Sequence, residues 1–537
     1  MAIERALHED LESTNGRVTE DTPLLKPPEE ESWKPPRSFV WIEIAIFANV
    51  FLYGFDGTIT ASTYAVISSD FDAANTASWL TTSYLVTSTA FQPLYGRFSD
   101  IFGRRICFFI STITFATGCF GCGLAQDVIS VDLMRALTGL GGGGLMNMAT
   151  IINSDMIPFR RRGMYQALQN TMFGVGAISG ASFGGAIADS IGWRWCFLLQ
   201  VPISVAAFVL GWLVIKNPHR AQNLGSSLEQ VWNKIDFAGS IVLVVALSLQ
   251  LVGLSIGGNE LPWKHPVVVS SLTASVVLLA LFFAIEARTT AIPIIPLRMF
   301  QRKLSLVIQL TNLCAGTAAY AYLFVLPLFF QVVLLDTAAK AGARLAIPSL
   351  ATPIGGILAG LVMSRYGRLM PLVRLGAFFM ALGNGLVTSL GFYDALWKYY
   401  VFIFPANLGQ GIIYPSTLFT NLATFEHSDH AVSASTVYLV RSVGSVWGVA
   451  ITSAIIQTTL KQKLPKALNN VQNRDELINQ IRHSVTALKD LPPSLQLPVR
   501  LVYYEGLRYA FAVSTCIAGL ALIASWFARP GGLRSTK

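Results

Sequence analysis

Charge is scarce in this sequence. Charged residues make up 13% of the 537 residues and hydrophobic residues 53%, whereas a typical soluble domain carries about 25% charged residues. A soluble chain of this length would need several domains with polar surfaces, and this composition excludes that class. The apolar residues recur in stretches of about 20, the length at which a helix crosses the hydrocarbon of a bilayer. The sequence therefore predicts a protein whose solvent is mostly lipid.

Patterns that carry metal, redox or catalytic chemistry are also missing. The six cysteines fall in or at the edge of apolar stretches, which argues against a disulfide framework. Cys119 and Cys122 form a C-x-x-C, but no second pair or nearby histidine completes a zinc site. The six histidines are scattered through the tail and loops, with only His427 and His430 close together. We therefore expect no enzyme and no cofactor.

Basic residues outnumber acidic ones, and the net charge is +9. With the N-terminus in the cytosol, the short loops hold 16 Lys and Arg on the cytosolic side and 5 on the other. This bias anchors membrane helices, so the charge calls for no nucleic-acid partner. We expect both termini in the cytosol. The segment 460–506 conflicts with this bias, because it places seven basic residues on the predicted luminal side.

The predicted fold class is an all-α polytopic membrane protein with fourteen transmembrane helices. The apolar windows cover 39–67, 77–97, 106–126, 128–152, 165–189, 196–215, 236–257, 266–287, 304–333, 343–363, 372–391, 398–421, 431–459 and 507–528. Their grouping divides the chain into a cytosolic tail (1–38), a first half (39–215), a linker (216–235), an inserted helix pair (236–287), a second linker (288–303), a second half (304–528) with a luminal loop (460–506), and a cytosolic C-terminus (529–537).

The segment between the second and third windows, GRFSDIFGRR at 96–105, carries a readable pattern. A tight turn between two membrane helices needs glycine for close backbone approach, and the arginines fit a cytosolic loop. The bias toward positive charge does not explain Asp100. Its carboxylate can pair with an arginine of the same loop or cap a helix, and such a contact would hold a cytosolic gate shut. The candidate gate residues are Gly96, Asp100, Gly103, Arg104 and Arg105.

This segment resembles the signature loop of the major facilitator superfamily, G-x-x-x-D-x-x-G-R-[RK], at all five fixed positions. A degenerate copy, GLVMSRYGR at 360–368, follows the tenth window and has Ser364 at the place of Asp100. An offset of eight windows is the one expected if two six-helix halves are separated by an inserted pair. The resemblance extends over 39–528 and implies the major facilitator fold.

Further segments resemble the drug:proton antiporters of that family. RALTGLGGGG, from Arg135, resembles the motif R-x-x-x-G-x-G, and GVGAISGASFGG resembles the antiporter motif, with Ala181 in place of the usual proline. FDGTIT in the first window and RSVGSVWGVAI, from Arg441, also resemble the fourteen-helix branch. The glycine positions of the antiporter motif are occupied by Gly176, Gly180, Gly184 and Gly185.

Asp56 lies inside an apolar window, where an ionised side chain costs at least about 2.5–3.5 kcal/mol and usually faces a bundle interior or an aqueous cavity. At about 1.5 Å of rise per residue, Asp56 lies about 16 Å and Arg135 about 11 Å from the luminal ends of their windows. The two therefore lie at similar depth. The resemblance implies that the first and fourth helices line a central cavity, where the two side chains can pair directly or through water. One interpretation is a structural ion pair. The other, which the resemblance favours, is a carboxylate that binds either a proton or a cationic substrate, as in proton antiport.

Arg441 is a second charge inside an apolar window. Its guanidinium can bind a substrate carboxylate or hold the second half in register. Several amides are candidate cavity groups, although each can equally form an interhelical hydrogen bond. These amides are Asn147, Gln169, Asn170, Gln309, Asn312, Asn407 and Gln410.

The N-terminal tail contains EDTPLL at 20–25. Glu20, Leu24 and Leu25 fit the acidic-dileucine pattern that cytosolic sorting adaptors read as a vacuolar or lysosomal address, although short patterns also occur by chance. Together with FDGTIT and WRWCFLL, this tail resembles the fungal vacuolar basic-amino-acid transporters. The resemblance implies a monomer in the vacuolar membrane that exchanges protons for amino acids, basic ones above all.

Two alternatives remain from the sequence. A multidrug or toxin efflux pump of the plasma membrane shares the fold and nearly the same motifs, and it would move a cationic drug in the same topological direction. A non-transporting nutrient sensor would be expected to carry a long cytosolic extension, whereas the tail before the first window has 38 residues. The address and the chemistry of the cavity separate the first alternative from the vacuolar transporter, and solute flux separates the second.

Overall fold

The computed structural model describes residues 35–71, 79–215, 235–258, 261–336, 338–426, 429–468, 477–478, 481, 488 and 491–528. In this part of the chain the backbone is helical, and β contacts are limited to two isolated bridges. The all-α fold class is confirmed. The predicted sorting signal at 20–25 lies outside the described residues.

The helices are numbered here in chain order. They are α1 (Phe39–Asp70), α2 (Trp79–Phe102), α3 (Arg104–Leu124), α4 (Val128–Met156), α5 (Phe159–Ser190), α6 (Arg194–Leu198), α7 (Gln200–Val214), α8 (Phe237–Ile256), α9 (Pro266–Glu286), α10 (Arg298–Gln301), α11 (Lys303–Val333), α12 (Ala338–Ser349), α13 (Ala351–Tyr366), α14 (Met370–Thr388), α15 (Leu396–Val401), α16 (Phe404–Leu422), α17 (His430–Ala467) and α18 (Pro493–Phe527).

Within the described ranges, ten helical segments are long and apolar enough to cross a bilayer. They correspond to α1, α3, α6 with α7, α8, α9, α11, the end of α12 with α13, α14, α17 and α18. The other four predicted windows are occupied by α2, α4, α5 and α15 with α16. Those helices are less apolar because they carry the gate, glycine and amide residues. For them, membrane crossing, and with it the count of fourteen, stays a prediction.

Helices α1 and α5 touch backbone to backbone through glycine. A Cβ atom on Gly176 would lie 2.2 Å from the carbonyl oxygen of Phe51, and one on Gly180 would lie 2.3 Å from that of Phe55. Small residues at helix contacts allow this approach, which supplies packing contacts where lipid removes the hydrophobic driving force between helices. The first two glycines of the antiporter motif are thus packing residues.

The second half repeats this arrangement between α11 and α17. A Cβ atom on Gly444 would lie 2.4 Å from the carbonyl oxygen of Leu313, and one on Gly448 would lie 2.2 Å from that of Thr317. The first and fifth helices of each half are therefore joined by the same glycine spacing of four residues, which places contacts on one face of the helix.

The inserted pair α8 and α9 packs beside the gate rather than apart from it. One buried cluster joins Leu94 of α2, Leu243 of α8, Phe282 of α9 and Leu439 of α17, together with Ile294 from the second linker. The pair consequently contacts one helix from each half.

The basic segment 460–506 is largely helical at its ends, because α17 and α18 both run past their predicted windows. Arg500 Nε donates to the carbonyl oxygen of Val332 at 3.0 Å, at the C-terminus of α11, where a cation is favoured by the helix dipole. Lys463 forms an ion pair with Glu505. These two positive charges therefore have local partners within the protein.

The glycine contact predicts a difference between two neighbouring positions of α5. Gly176→Ala should destabilise the protein by about 1–3 kcal/mol, since the added methyl group overpacks the contact with α1. Gly174→Ala is the matched control, because its Cβ position has nothing within 4 Å. Thermal unfolding in detergent should show a lower midpoint for the first variant only. Equal midpoints would contradict the packing role.

Candidate functional site

Asp56 of α1 and Arg135 of α4 form a buried ion pair. Arg135 Nη1 donates to both carboxylate oxygens, at 2.8 and 2.7 Å. The Asp56 side chain is 0% exposed and that of Arg135 1%. Arg135 Nε also donates to the carbonyl oxygen of Leu80 at 3.1 Å, and Gln200 Nε2 donates to Asp56 Oδ1 at 3.2 Å. The structure thus brings together the two charges that the sequence placed at similar depth.

The surroundings of the pair are aromatic and incompletely hydrogen-bonded. The guanidinium of Arg135 lies 4.5 Å from the ring centroid of Tyr84 and 5.5 Å from that of Phe197. The Tyr84 hydroxyl and Gln200 Oε1 are buried with no hydrogen-bond partner among the described residues. Such groups are uncommon in native interiors and call for an explanation. Sequence reasoning missed Gln200, although it is the single amide in the window 196–215.

The depth of the pair follows from its contact with α2. Leu80 is the second residue of α2, whose first turn is at the predicted luminal end. The carbonyl oxygen that binds Arg135 therefore lies toward the predicted luminal side of the first half.

Arg441 of α17 lies in the second half and has different partners. Its Nε donates to Asn312 Oδ1 at 3.1 Å, and its Nη2 donates to the carbonyl oxygen of Tyr414 at 3.0 Å. Its guanidinium lies 4.0 Å from the ring centroid of Tyr414 and 5.4 Å from that of Tyr438. The side chain is half-buried, and in the described part of the chain it meets no carboxylate and Nη1 forms no hydrogen bond. Arg441 is thus a cation whose Nη1 group is available to donate hydrogen bonds to a ligand.

Two more tyrosines complete this group, which we name the central cluster: Tyr53, Tyr320, Tyr414, Tyr438 and Arg441. Tyr53 of α1 lies near Tyr320 on α11 and Tyr438 on α17. Tyr320 is 39% exposed although it stands in the middle of its helix. The cluster therefore spans both halves. Sequence reasoning missed its tyrosines, because tyrosine inside an apolar window is ordinary in a membrane helix.

The predicted amides mostly hold helices together. Asn147 Nδ2 donates to the carbonyl oxygen of Gln92 at 2.7 Å, and Gln169 Nε2 donates to that of Ala149 at 3.2 Å. Asn407 Oδ1 accepts a hydrogen bond from Tyr322 at 2.9 Å. Of the amides predicted for the cavity, Asn312 is the one whose side chain contacts Arg441.

The charges of the signature loop pair within the first half. Arg104 Nη1 donates to Asp100 Oδ1 at 2.6 Å, and Arg104 Nε donates to Asp155 Oδ2 of α4 at 2.7 Å. Asp100 thus pairs with an arginine of its own loop, one of the two contacts expected. Gly103 adopts φ 94°, a conformation that favours glycine, and separates α2 from α3. Arg105 lies over the ring of Trp212, 4.4 Å from its centroid.

Gly96 makes the contact of this loop that crosses between halves. A Cβ atom on Gly96 would lie 2.2 Å from Ser435 Oγ of α17, so α2 and α17 touch there. Likewise, a Cβ atom on Gly360 would lie 2.7 Å from the carbonyl oxygen of Gly163 on α5. The degenerate copy of the signature loop therefore contributes a glycine to the same side.

Side-chain hydrogen bonds reinforce this contact between halves. The Tyr438 hydroxyl lies 2.8 Å from Thr150 Oγ1 of α4 and accepts from Gln166 Nε2 of α5 at 3.2 Å. Arg162 Nη1 lies 3.1 Å from His430 Nδ1 at the start of α17. Together with the glycine contacts, they close the predicted cytosolic side of the molecule.

The second linker crosses the closed side. Arg97 Nε of α2 donates to the carbonyl oxygen of Pro293 at 2.7 Å, and Arg298 pairs with Asp429, beside the start of α17, at 2.8 Å. The linker therefore contacts a helix from each half.

Two carboxylates outside the spans on the predicted luminal side are held ionised. A hydrogen bond from Trp193 Nε1, at 3.0 Å, keeps the pKa of Asp70 below its usual value. Hydrogen bonding from Lys398 does the same for the pKa of Asp394. Both groups keep their charge in moderately acidic surroundings.

The remaining antiporter-motif glycines differ from the first two. The carbonyl oxygen of Gly184 accepts a hydrogen bond from the Cys196 thiol at 3.5 Å. The Cβ position of Gly185 has nothing within 4 Å. In this motif, Gly176 and Gly180 are therefore packing residues, whereas Gly185 has room for a side chain.

Comparison with known proteins identifies the architecture. Residues 46–449 match the model of the Major Facilitator Superfamily. The chain is 45% identical to vacuolar basic amino acid transporter 2 of Saccharomyces cerevisiae, over 83% of this chain and 96% of that one. It is 34% identical to multidrug resistance protein fnx1 of Schizosaccharomyces pombe, over 93% and 94% of the two chains. The solved structure of the proton:xylose symporter XylE matches with a TM-score of 0.58 over 92% of this chain and 96% of that one, at 15% identity, and so supports the fold alone.

The closed side predicts the effect of removing one hydroxyl group. Tyr438→Phe removes its hydrogen bonds to Thr150 and Gln166, each worth about 0.5–1.5 kcal/mol, and should shift the population toward a cytosol-open form. Spin labels at Arg161 and Tyr366, at the cytosolic ends of α5 and α13, should report longer distances. Tyr322→Phe, which loses a hydrogen bond inside the second half, is the control. An unchanged distance distribution in Tyr438→Phe would refute the gate assignment.

Proposed function

The chain belongs to the major facilitator superfamily, and we propose that this protein is a proton-coupled antiporter that moves amino acids, basic ones above all, from the cytosol into the vacuole. The observation that carries the proposal is the enclosed pair of Asp56 and Arg135 on the predicted luminal side. The 45% identity to a vacuolar basic amino acid transporter supports the substrate class and the membrane. The vacuolar address is assigned to Glu20, Leu24 and Leu25, outside the described residues.

Protonation of Asp56 is the coupling step in this proposal. The geometry of Arg135 Nη1 against both carboxylate oxygens fits an ionised acid. A proton on Asp56 would leave the buried Arg135 charge without its counter-ion, which is costly in an apolar interior. The pair must then rearrange, so that proton binding favours one orientation of the halves over the other.

The sequence suggested that proton and substrate compete at Asp56, and the competition hypothesis stays untested. We propose instead that the two are coupled through conformation. Both oxygens of Asp56 are occupied by Arg135, and Gln200 binds one of them as well. The Asp56 side chain is fully buried in the state with a closed cytosolic side. In this proposal the proton site and the substrate site are separate, and each favours a different orientation of the halves.

The central cluster supplies groups for both charges of a basic amino acid. Arg441 presents donors that match a carboxylate. The rings of Tyr53 and Tyr320 suit a cationic side chain, which binds to aromatic faces within about 6 Å of the ring centroid. One chain contains both halves of this site, so a monomer suffices.

A multidrug efflux pump is the second candidate. The 34% identity to multidrug resistance protein fnx1 supports it, and aromatic rings also bind hydrophobic cations. The two functions differ in one requirement, because a drug pump has no need of a carboxylate on its substrate.

Replacement of Asp56 tests the coupling. Asp56→Asn in reconstituted vesicles with an acidic interior should reduce gradient-driven arginine accumulation to the level of empty vesicles, because the titrating group is lost at little change in volume. Exchange of internal for external arginine should persist. Asp70→Asn, which alters a half-exposed luminal carboxylate, is the control. Normal accumulation by Asp56→Asn would exclude Asp56 as the proton site.

Replacement of Arg441 tests the substrate class. Arg441→Gln should raise the half-saturating concentration of arginine roughly 10- to 100-fold, since hydrogen bonds to charged groups contribute about 1.5–3 kcal/mol. Agmatine, which is arginine without its carboxylate, should bind the variant and the unaltered protein equally. Equal weakening for both compounds would make Arg441 structural. Efficient transport of agmatine by the unaltered protein would favour the efflux pump.

A further inference from the structure

Helix α1 carries a second carboxylate, Glu43, near its predicted cytosolic end. The side chain is 5% exposed, and Asn153 Nδ2 of α4 donates to its Oε2 at a long 3.5 Å. Its Oε1 is buried with no hydrogen-bond partner among the described residues, and the same holds for Asn153 Oδ1. Sequence reasoning passed over Glu43 and weighed Asp56 alone in this helix.

Among the described residues, the charged groups around Glu43 form no ion pair with it. On α5, Tyr165 lies near both Glu43 and Arg161. Helix α7 contains no titratable residue. At the cytosolic end of α2, Arg97 and Asp100 interact with each other at 3.7 Å. At the ends of α4 and α3, Asp155 pairs with Arg104. In the described ranges, no ion pair includes Glu43.

A proton on Glu43 would allow a hydrogen bond between the two atoms without partners, Glu43 Oε1 and Asn153 Oδ1. Ionised Glu43 and the carbonyl oxygen of Asn153 are both acceptors, so neither satisfies the other. A protonated Glu43 gains an O–H donor that Asn153 Oδ1 can accept, and it removes an uncompensated charge from the interior. The protonated acid therefore fits the state with a closed cytosolic side.

The two carboxylates of α1 differ in position and in partner. They are 13 residues apart in the sequence, which is about 20 Å along a helix. Asp56, toward the predicted luminal end, is paired with Arg135, whereas Glu43, toward the predicted cytosolic end, forms no ion pair with the residues that the structure describes. Glu43 lies four residues from the start of α1, and water that enters this region when the cytosolic side opens would stabilise its ionised form.

We propose that Glu43 is a second proton-binding site of the transport cycle, which holds a proton while the cytosolic side is closed and releases it to cytosolic water when that side opens. The step is a simple ionisation, in which the O–H bond of the carboxylic acid breaks and water takes the proton. The proposal rests on the proposed proton-coupled function, and its first test is independent of transport.

Infrared spectroscopy of the purified protein in vesicles tests the protonation state directly. At neutral pH the unaltered protein should show the C=O band of a buried carboxylic acid that Glu43→Gln lacks. Glu505→Gln is the matched control. Glu505 is paired with Lys463 and is expected to be ionised, so this variant should leave the band unchanged. A spectrum of Glu43→Gln in which every carboxylic acid band remains would overturn the proposal.

Transport tests the role in the cycle. Glu43→Gln should keep exchange of internal for external arginine but lose the dependence of net uptake on cytosolic-side pH, and Glu43→Asp, which retains an acid, should restore part of it. Unaltered pH dependence in Glu43→Gln, or equal loss of all transport in both variants, would make Glu43 structural. If the unaltered protein takes up no arginine under a pH gradient, the proposed function fails, and the infrared result still decides the protonation of Glu43.

Discussion

The ion pair between Asp56 and Arg135 is the interaction on which the first half of the molecule depends. Two charges inside a bilayer are tolerated only when their geometry and remaining hydrogen bonds compensate for lost hydration. Here α1 supplies the acid, α4 the base, α2 a carbonyl oxygen and α7 an amide. A proton on Asp56 would alter the contacts among all four helices at once. In the proposed mechanism, this local rearrangement is how a proton on Asp56 changes the orientation of the two halves.

The contacts that close the predicted cytosolic side are the ones that such a rearrangement would have to break. Glycines bring the halves into contact at Gly96 and Gly360, and the Tyr438 hydroxyl joins the second half to α4 and α5. Tyr438 also belongs to the central cluster around Arg441. A substrate that binds the cluster thus contacts a residue of the gate, which provides a physical route from occupancy to opening.

Sequence reasoning recovered what depends on local pattern and on composition. The apolar windows, the glycine and arginine spacing of 96–105 and the similar depth of Asp56 and Arg135 all follow from helix geometry and from the bilayer. Gln200 and Glu43 were missed because their meaning depends on partners 144 and 110 residues away. In the basic segment 460–506, Arg500 and Lys463 have local partners that only packing reveals.

In this mechanism amino-acid entry and proton exit are one process. The decisive measurement adds arginine to the outside of vesicles that contain the protein and an internal pH indicator, with no gradient imposed. Arginine entry should drive protons outward, so that the interior becomes more alkaline as labelled arginine accumulates. Labelled arginine that enters while the internal pH stays constant would contradict it.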